Sequence, residues 1–271
     1  MANGWPGSTP GCRRSGSGPE PRREGEAKAA SIYDDPGFFA GYSALPRSVA
    51  GLEGAPEWPA LRTLLPPMPG LRVLDLGCGF GWFCRWARGA GAGQVIGLDL
   101  SARMLGRARA MTDDPGIAWL RADLAGLPLA PARFDLAWSS LAFHYVKDLA
   151  GLLAAVHRVL RPGGRLVASL EHPVFTAPRR PGWRQADFGG WHWPLDGYGQ
   201  EGQRAVDWLG ARVVKQHRTL GTLLNTLLRA GFVLDHVEDW VPTEAAIAAR
   251  PELAKERERP IFLLLAAHRP G

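Results

Sequence analysis

The stretch Val73-Leu74-Asp75-Leu76-Gly77-Cys78-Gly79-Phe80-Gly81-Trp82 constrains the fold more than any other part of the chain. Leu71 to Leu76 is a short apolar run of strand character, ended by three alternating glycines just before a helix-compatible stretch. Glycine is needed where a chain leaves a strand at positive φ, or where a ligand must touch bare backbone. The stretch therefore predicts a strand–turn–helix with a ligand lying across the turn. Its spacing bears on the ligand. A dinucleotide fingerprint reads G-x-G-x-x-G, with the helix start facing a pyrophosphate. Here the third glycine comes one residue early, and Trp82 stands where that fingerprint wants glycine. Asp75, two residues before the first glycine, is awkward beside a phosphate and useful beside a cation.

Around this stretch the chain alternates. Asp34-Asp35-Pro36 predicts a helix start, with an acidic cap and proline in the first turn, leading into Phe38, Phe39 and Tyr42. Trp58-Pro59 opens a second short helix, which Pro66-Pro67 stops. Strands are expected at 94–100, 117–121, 134–139 and 165–170, then at 232–237 and 261–267. Helices on Met104, Leu105 and Ala108, on Leu149, Leu152, Leu153 and Val156, and on Leu220, Leu223, Leu224 and Leu227 fall between them. Thr243 to Arg257 reads as surface helix. Strands alternating with helices imply a doubly wound parallel sheet with ligands outside the carboxyl ends of the strands. Residues 172–213 break the rhythm and read as a lid insertion after the fifth strand.

Composition narrows the class. A chain of 271 residues, 46% hydrophobic, can bury a large single core. The net charge of +6 is spread along the chain without a basic stripe, which argues against a nucleic-acid partner. No run approaches the ~20 apolar residues of a membrane span. Residues 1–30, rich in Gly, Pro, Ser and Arg, read as a disordered tail without the apolar core of a signal peptide, so a cytoplasmic location is expected. Residues 31–271 are expected to form one domain. Cys12, Cys78 and Cys84 are odd in number and do not suggest a disulfide framework.

The D-x-G-x-G-x-G pattern of Asp75, Gly77, Gly79 and Gly81 resembles motif I of the class I S-adenosylmethionine (SAM) methyltransferases. Asp99 ends the second strand, Asp123 follows the third, and the turn Leu160-Arg161-Pro162-Gly163-Gly164 precedes the fifth. With these in order, the resemblance covers residues 71–170 and points to the small-molecule branch. It implies a seven-stranded, mostly parallel Rossmann-like sheet with an N-terminal helical cover, and SAM as cofactor. Asp99 is placed to accept both ribose hydroxyls, an assignment a dehydrogenase would share. Asp123 is placed to accept from the adenine amine with Leu124 on the ring, or else only caps a turn. The cofactor set is completed by Cys78, Leu100, Met104 and Ser139, and by Tyr33 and Arg47, since related enzymes close that region over the cofactor.

No metal is expected: the Mg²⁺-dependent catechol type clusters carboxylates after the fourth strand, and none precedes Asp148 here. Ser139-Ser140-Leu141-Ala142 also lacks the Asn/Asp-Pro-Pro-aromatic motif of amine methylation of adenine or glutamine side chains. Displacement from a sulfonium needs mainly positioning, and a base only where the acceptor must lose a proton. His144 and His172 are the candidate bases, each with a packing role as its alternative. The lid carries Phe175, Trp183, Phe188, Trp191, Trp193, Tyr198 and Trp208, with Arg179, Arg180 and Arg184 among them. These suit a small acceptor with an apolar or aromatic body and an anionic group, or else they only pack the lid. The acceptor, the atom methylated and the oligomeric state stay open. A nicotinamide-dependent oxidoreductase and a non-catalytic SAM-binding protein are the rival readings; Trp82 and Asp123 oppose the first, and turnover separates the second.

Overall fold

The computed structural model describes residues 31–271 except Pro128 and Phe188. The expectations for residues 1–30 and for Phe188 lie outside the described residues. Seven strands make the central sheet: β1 (Arg72–Leu76), β2 (Gln94–Asp99), β3 (Ile117–Arg121), β4 (Phe134–Ser140), β5 (Leu160–Glu171), β10 (Val233–Trp240) and β11 (Phe262–His268). Their spatial order is β10-β11-β5-β4-β1-β2-β3. Pairs β1–β2, β2–β3, β1–β4 and β4–β5 are parallel, while β11 runs antiparallel to both β5 and β10. The order reverses between β1 and β4, so a crevice opens at the carboxyl end of β1, where the glycine turn lies.

Strand side chains alternate between two cores. Val73, Val95, Leu136, Trp138 and Val167 pack on one face with Trp58 and Leu61 of α3 (Trp58–Thr63) and Phe83 and Ala87 of α4 (Trp82–Gly89). Leu74, Ile96, Ala137, Leu166 and Ala168 pack on the other with α6 (Leu149–Val159) and α8 (Leu220–Arg229). Burial of each large side chain is worth ~1.5–3 kcal/mol. This two-sided burial is why the strands read as nearly continuous apolar runs. Local chemistry sets the helix starts. Asp35 caps α1 (Pro36–Ser43) by accepting the Phe38 N–H, with Pro36 at the first position. Ser101 caps α5 (Ala102–Ala110) by accepting from Met104. Short helix α2 (Pro46–Val49) follows α1, and α9 (Glu244–Ala249) with the 3₁₀ segment Pro251–Arg257 precedes β11.

The insertion is more regular than its sequence suggests. It holds α7 (Pro173–Thr176), the short pair β6 (Arg184–Gln185) and β7 (Trp191–His192), and a hairpin of β8 (Gly202–Trp208) with β9 (Ala211–His217). The expected boundary at Val213 therefore falls inside β9, and the inserted unit runs to His217. The hairpin turns through Leu209 and Gly210, both at positive φ, +52° and +76°. Such two-residue turns normally carry Asn-Gly or Asp-Gly. Leucine in that place hid the turn. Among the described residues no helix is long and apolar enough to cross a membrane.

Candidate functional site

A cleft of about 90 Å³, partly open to solvent, lies at the carboxyl end of β1. Its lining includes Tyr42, Arg47, Asp75, Gly77, Gly79, Trp82, Trp138 and Ser140. The motif glycines serve two purposes. Gly81, at φ +72°, has no room for a Cβ, which would run into the Trp119 ring. Gly79, at φ +53°, has nothing within 4 Å of where a Cβ would stand, so bare backbone faces the cleft there. The Gly79 N–H donates to Asp99 Oδ2 at 2.9 Å and the Ser101 N–H donates to Asp99 Oδ1 at 2.8 Å. Each carboxylate oxygen thus has one backbone donor and further lone-pair capacity. Burial raises the Asp99 carboxyl above its ordinary value, against the pull of those N–H groups.

Asp75 projects from the same sheet face as Val73 and is 2% exposed. Its Oδ2 accepts the Cys84 thiol at 3.1 Å. Burial pushes its carboxyl up to about 7, Cys84 opposes this, and Asp99 adds to it. No cationic side chain is among the causes of that shift. The Cys78 thiol, buried beside it, is pushed up to about 11 by desolvation. Trp82 Nε1 is buried without a hydrogen-bond partner. A bare backbone turn, a carboxylate with spare lone pairs and a buried acid lacking a cation fit a nucleoside that carries positive charge.

The N-terminal segment closes over this cleft, as its sequence suggested. Asp34 Oδ1 accepts from the Ser101 hydroxyl at 2.6 Å and the Arg103 N–H at 3.0 Å, clamping the segment to the start of α5. Phe39 and Tyr42 pack edge-on against Phe80 of the glycine turn, at 5.6 and 5.9 Å. Phe38 and Tyr42 also meet Trp208 of the hairpin, at 5.4 and 6.3 Å. Helix α1 therefore bridges the glycine turn and the insertion. Arg47 lines the cleft and is fixed by Glu57, wholly buried, at 2.7 Å. The Tyr33 hydroxyl lies 3.2 Å from that of Tyr145.

Other expected residues are not in the cleft lining. Ser139 is fully buried on the opposite sheet face and donates to the Leu76 carbonyl at 2.9 Å; Ser140 is the serine that lines the cleft. Successive strand residues face opposite ways, so the error is one of parity. Asp123 is exposed, and its Oδ1 accepts the Ala125 N–H at 2.9 Å, the turn-capping alternative, with half-buried Leu124 beside it. Leu100 is half-buried at the end of β2, and Met104 is 2% exposed on the inner face of α5.

The two histidines differ. His172 caps α7 through Nδ1, which accepts the Val174 N–H at 3.0 Å, and its Nε2 lies 2.7 Å from Asp239 Oδ1. Both nitrogens are committed to structure, leaving none for a reacting proton. His144 is 4% exposed, and burial pushes its pKa down to about 4, so the ring is neutral near pH 7. Its Nδ1 accepts the Glu171 N–H at 3.4 Å, which puts the ring proton on Nε2.

Much of the insertion's aromatic content is structural. Phe175, Trp183 and Trp193 surround the Arg259 guanidinium at 4.6, 5.0 and 4.0 Å. Arg259 is 3% exposed and paired with Glu256. The Tyr198 hydroxyl accepts the Leu220 N–H at 3.1 Å, whereas Trp191 is 58% exposed. Among the described residues no group of His, Cys, Asp and Glu is arranged to hold a metal.

The comparisons agree with this geometry. A methyltransferase-domain family profile matches residues 74–168. The crystal structure of an S-adenosylmethionine-dependent methyltransferase from Mesorhizobium loti superposes with a TM-score of 0.79 at 58% identity, covering 81% of this chain and 100% of that one. An uncharacterized protein of Haemophilus influenzae is 33% identical over 251 residues, 88% of this chain and 97% of its own. The malonyl-[acyl-carrier protein] O-methyltransferase of Pseudescherichia vulneris is 50% identical over 92 residues, 34% of this chain and 36% of that protein. The chain belongs to the S-adenosylmethionine-dependent methyltransferases: it is an enzyme that transfers a methyl group from SAM.

Proposed function

We propose that SAM lies across the Gly77–Gly81 turn, with its ribose diol on Asp99 and its ammonium group beside Asp75. Arg47 and the Trp82 indole N–H then meet its carboxylate, while Leu100 and Leu124, half-buried beyond the ends of β2 and β3, border the adenine. The observation that carries this reading is Asp99, anchored on both oxygens by the Gly79 and Ser101 N–H groups at the carboxyl end of β2. A carboxylate pre-oriented in this way binds two hydroxyls without having to be ordered first. The reactive methyl, on this reading, is presented towards Trp138, Ser140 and the turn after β4.

The acceptor then has an apolar or aromatic body held under α1 and the insertion, against Trp208 and Tyr145. An anionic substituent would meet Arg180 and Arg184, which are exposed on the insertion. The malonyl-[acyl-carrier protein] enzymes match over only about a third to a half of each chain, too little to bring their acceptor across. The test is release of S-adenosylhomocysteine with the wild-type enzyme across a metabolite library. Turnover of compact apolar or aromatic compounds supports the acceptor reading. Turnover only of proteins, nucleic acids or strongly polar metabolites contradicts it.

A further inference from the structure

Glu171, the last residue of β5, belongs neither to motif I nor to the cover, yet it faces the cleft's side of the sheet. Strand parity sets its direction. Val167 shares a core with Leu136 and Trp138, and Ser169 Oγ donates to Ser140 Oγ at 3.1 Å. Two residues on, Glu171 rises from that face at the carboxyl edge, beyond the pairing of Ser169 with the cleft residue Ser140. Its position is fixed from three sides. Lys215 of β9 pairs with Oε1, the Glu171 N–H donates to His144, and the backbone pairs with Phe262. Lys215 is itself held over the rings of Phe175 and Trp208, at 5.9 and 5.5 Å.

The other carboxylate oxygen, Oε2, is buried and has no hydrogen-bond partner. Leaving a buried acceptor atom without a donor is costly, and a molecule bound beside Glu171 could supply one; Glu57 Oε2 is unpartnered too, on the far side of Arg47. His144 is no rival for the proton, because its Nδ1 already accepts and its Nε2 carries hydrogen.

We infer that Glu171 is the catalytic base of the acceptor site, and that the acceptor's reacting atom is a protic oxygen or nitrogen. The inference rests on the proposed placement of SAM. Glu171 Oε2 accepts the hydrogen bond of the acceptor's O–H or N–H and holds its lone pair in line with the methyl carbon. As the bond from that atom to the methyl forms, the carbon–sulfur bond breaks and its electron pair stays on sulfur. The proton passes to Glu171 Oε2, so one positive charge is lost from sulfur and one negative charge from the carboxylate. Lys215, paired with Oε1, orients the carboxylate beforehand.

The test offers the wild-type enzyme and saturating SAM two sets of acceptors, with S-adenosylhomocysteine release as the readout. One set holds substituted phenols, aliphatic alcohols and primary amines; the other holds carboxylates, tertiary amines and thioethers, whose methylation gives no proton to a base. Turnover is expected in the first set, and Glu171→Gln should lower kcat by ~10²–10⁴-fold with the Kd for SAM unchanged. The loss should shrink along the phenols as they become more acidic. Added formate should restore activity to Glu171→Ala, which a merely structural role would not allow. Because an unpaired buried Lys215 would destabilise the fold, the double variant Glu171→Gln/Lys215→Gln serves as the check, with wild-type-like melting and the same loss of kcat. Turnover confined to the second set, none with any protic acceptor, or wild-type kcat in Glu171→Gln overturns the inference. Absence of SAM binding by calorimetry overturns instead the placement on which it rests.

Discussion

Asp75→Asn should stabilise the ligand-free enzyme at pH 8 while weakening its grip on SAM. The wild-type carboxyl is 2% exposed and is pushed by burial from 3.8 to about 7. At 1.36 kcal/mol per tenfold change in proton affinity, the ionised form is ~4 kcal/mol less favourable in the folded protein than in water. The sign follows from linkage. The folded pKa is raised, so the folded protein binds more protons than the unfolded chain between pH 3.8 and 7, and stability falls across that window as pH rises. Above 7 the full penalty is present; at pH 4 it has shrunk below ~1 kcal/mol. Asparagine removes the charge and keeps an oxygen for the Cys84 thiol, but its buried N–H groups need acceptors and take back ~1–2 kcal/mol. The net gain of ~2–3 kcal/mol at pH 8 should raise Tm by roughly 5–10 °C in a domain of this size. Thermal melts of both proteins without SAM, at pH 8 and pH 4, measure it. A gain at pH 8 that vanishes at pH 4 supports a buried, costly charge whose burial is offset by a cationic ligand. A variant that is less stable at pH 8, or a difference independent of pH, refutes the reasoning.

In the wild type, SAM affinity should fall as pH drops below about 7 and Asp75 protonates, with protons released on binding near pH 6.5 by calorimetry in two buffers. Trp193→Ala should cost ~2–4 kcal/mol in denaturant unfolding, because it opens the aromatic enclosure of Arg259, whereas Trp191→Ala should stay within ~0.5 kcal/mol. A chain beginning at Ser31 should melt and bind SAM like the full chain, since residues 1–30 offer little apolar surface; a clear fall in Tm would count them as part of the fold.

The fold was legible because its information is local and repeated. Apolar runs of strand length, Ser101 and Asp35 as caps, and the early third glycine each act over a few residues, and together they specify a parallel sheet with a ligand at its switch point. Asp75 and Gly79 were legible as residues of the cleft lining, because β1 ends where it meets the cleft. The site was illegible wherever an assignment depended on strand parity or on distant partners. Ser139 and Ser140 cannot be told apart until the inward face of β4 is known. Glu57 behind Arg47, Asp34 on the start of α5 and Lys215 on Glu171 are pairings across 10, 67 and 44 residues that no period announces. Among the lid aromatics, Phe175, Trp183 and Trp193 surround Arg259, a partner 66 or more residues away that their density in the sequence does not announce.

The central claim, that Asp99 and the glycine turn hold the nucleoside of SAM, is tested most directly by calorimetric titration of SAM into the wild type and Asp99→Ala. Loss of an acceptor for two hydroxyls should cost ~1–3 kcal/mol, a fall in affinity of roughly 5- to 150-fold, with the variant's Tm without SAM no lower than that of the wild type by more than a few degrees. Equal affinity in the two proteins would contradict the account and move the cofactor off Asp99.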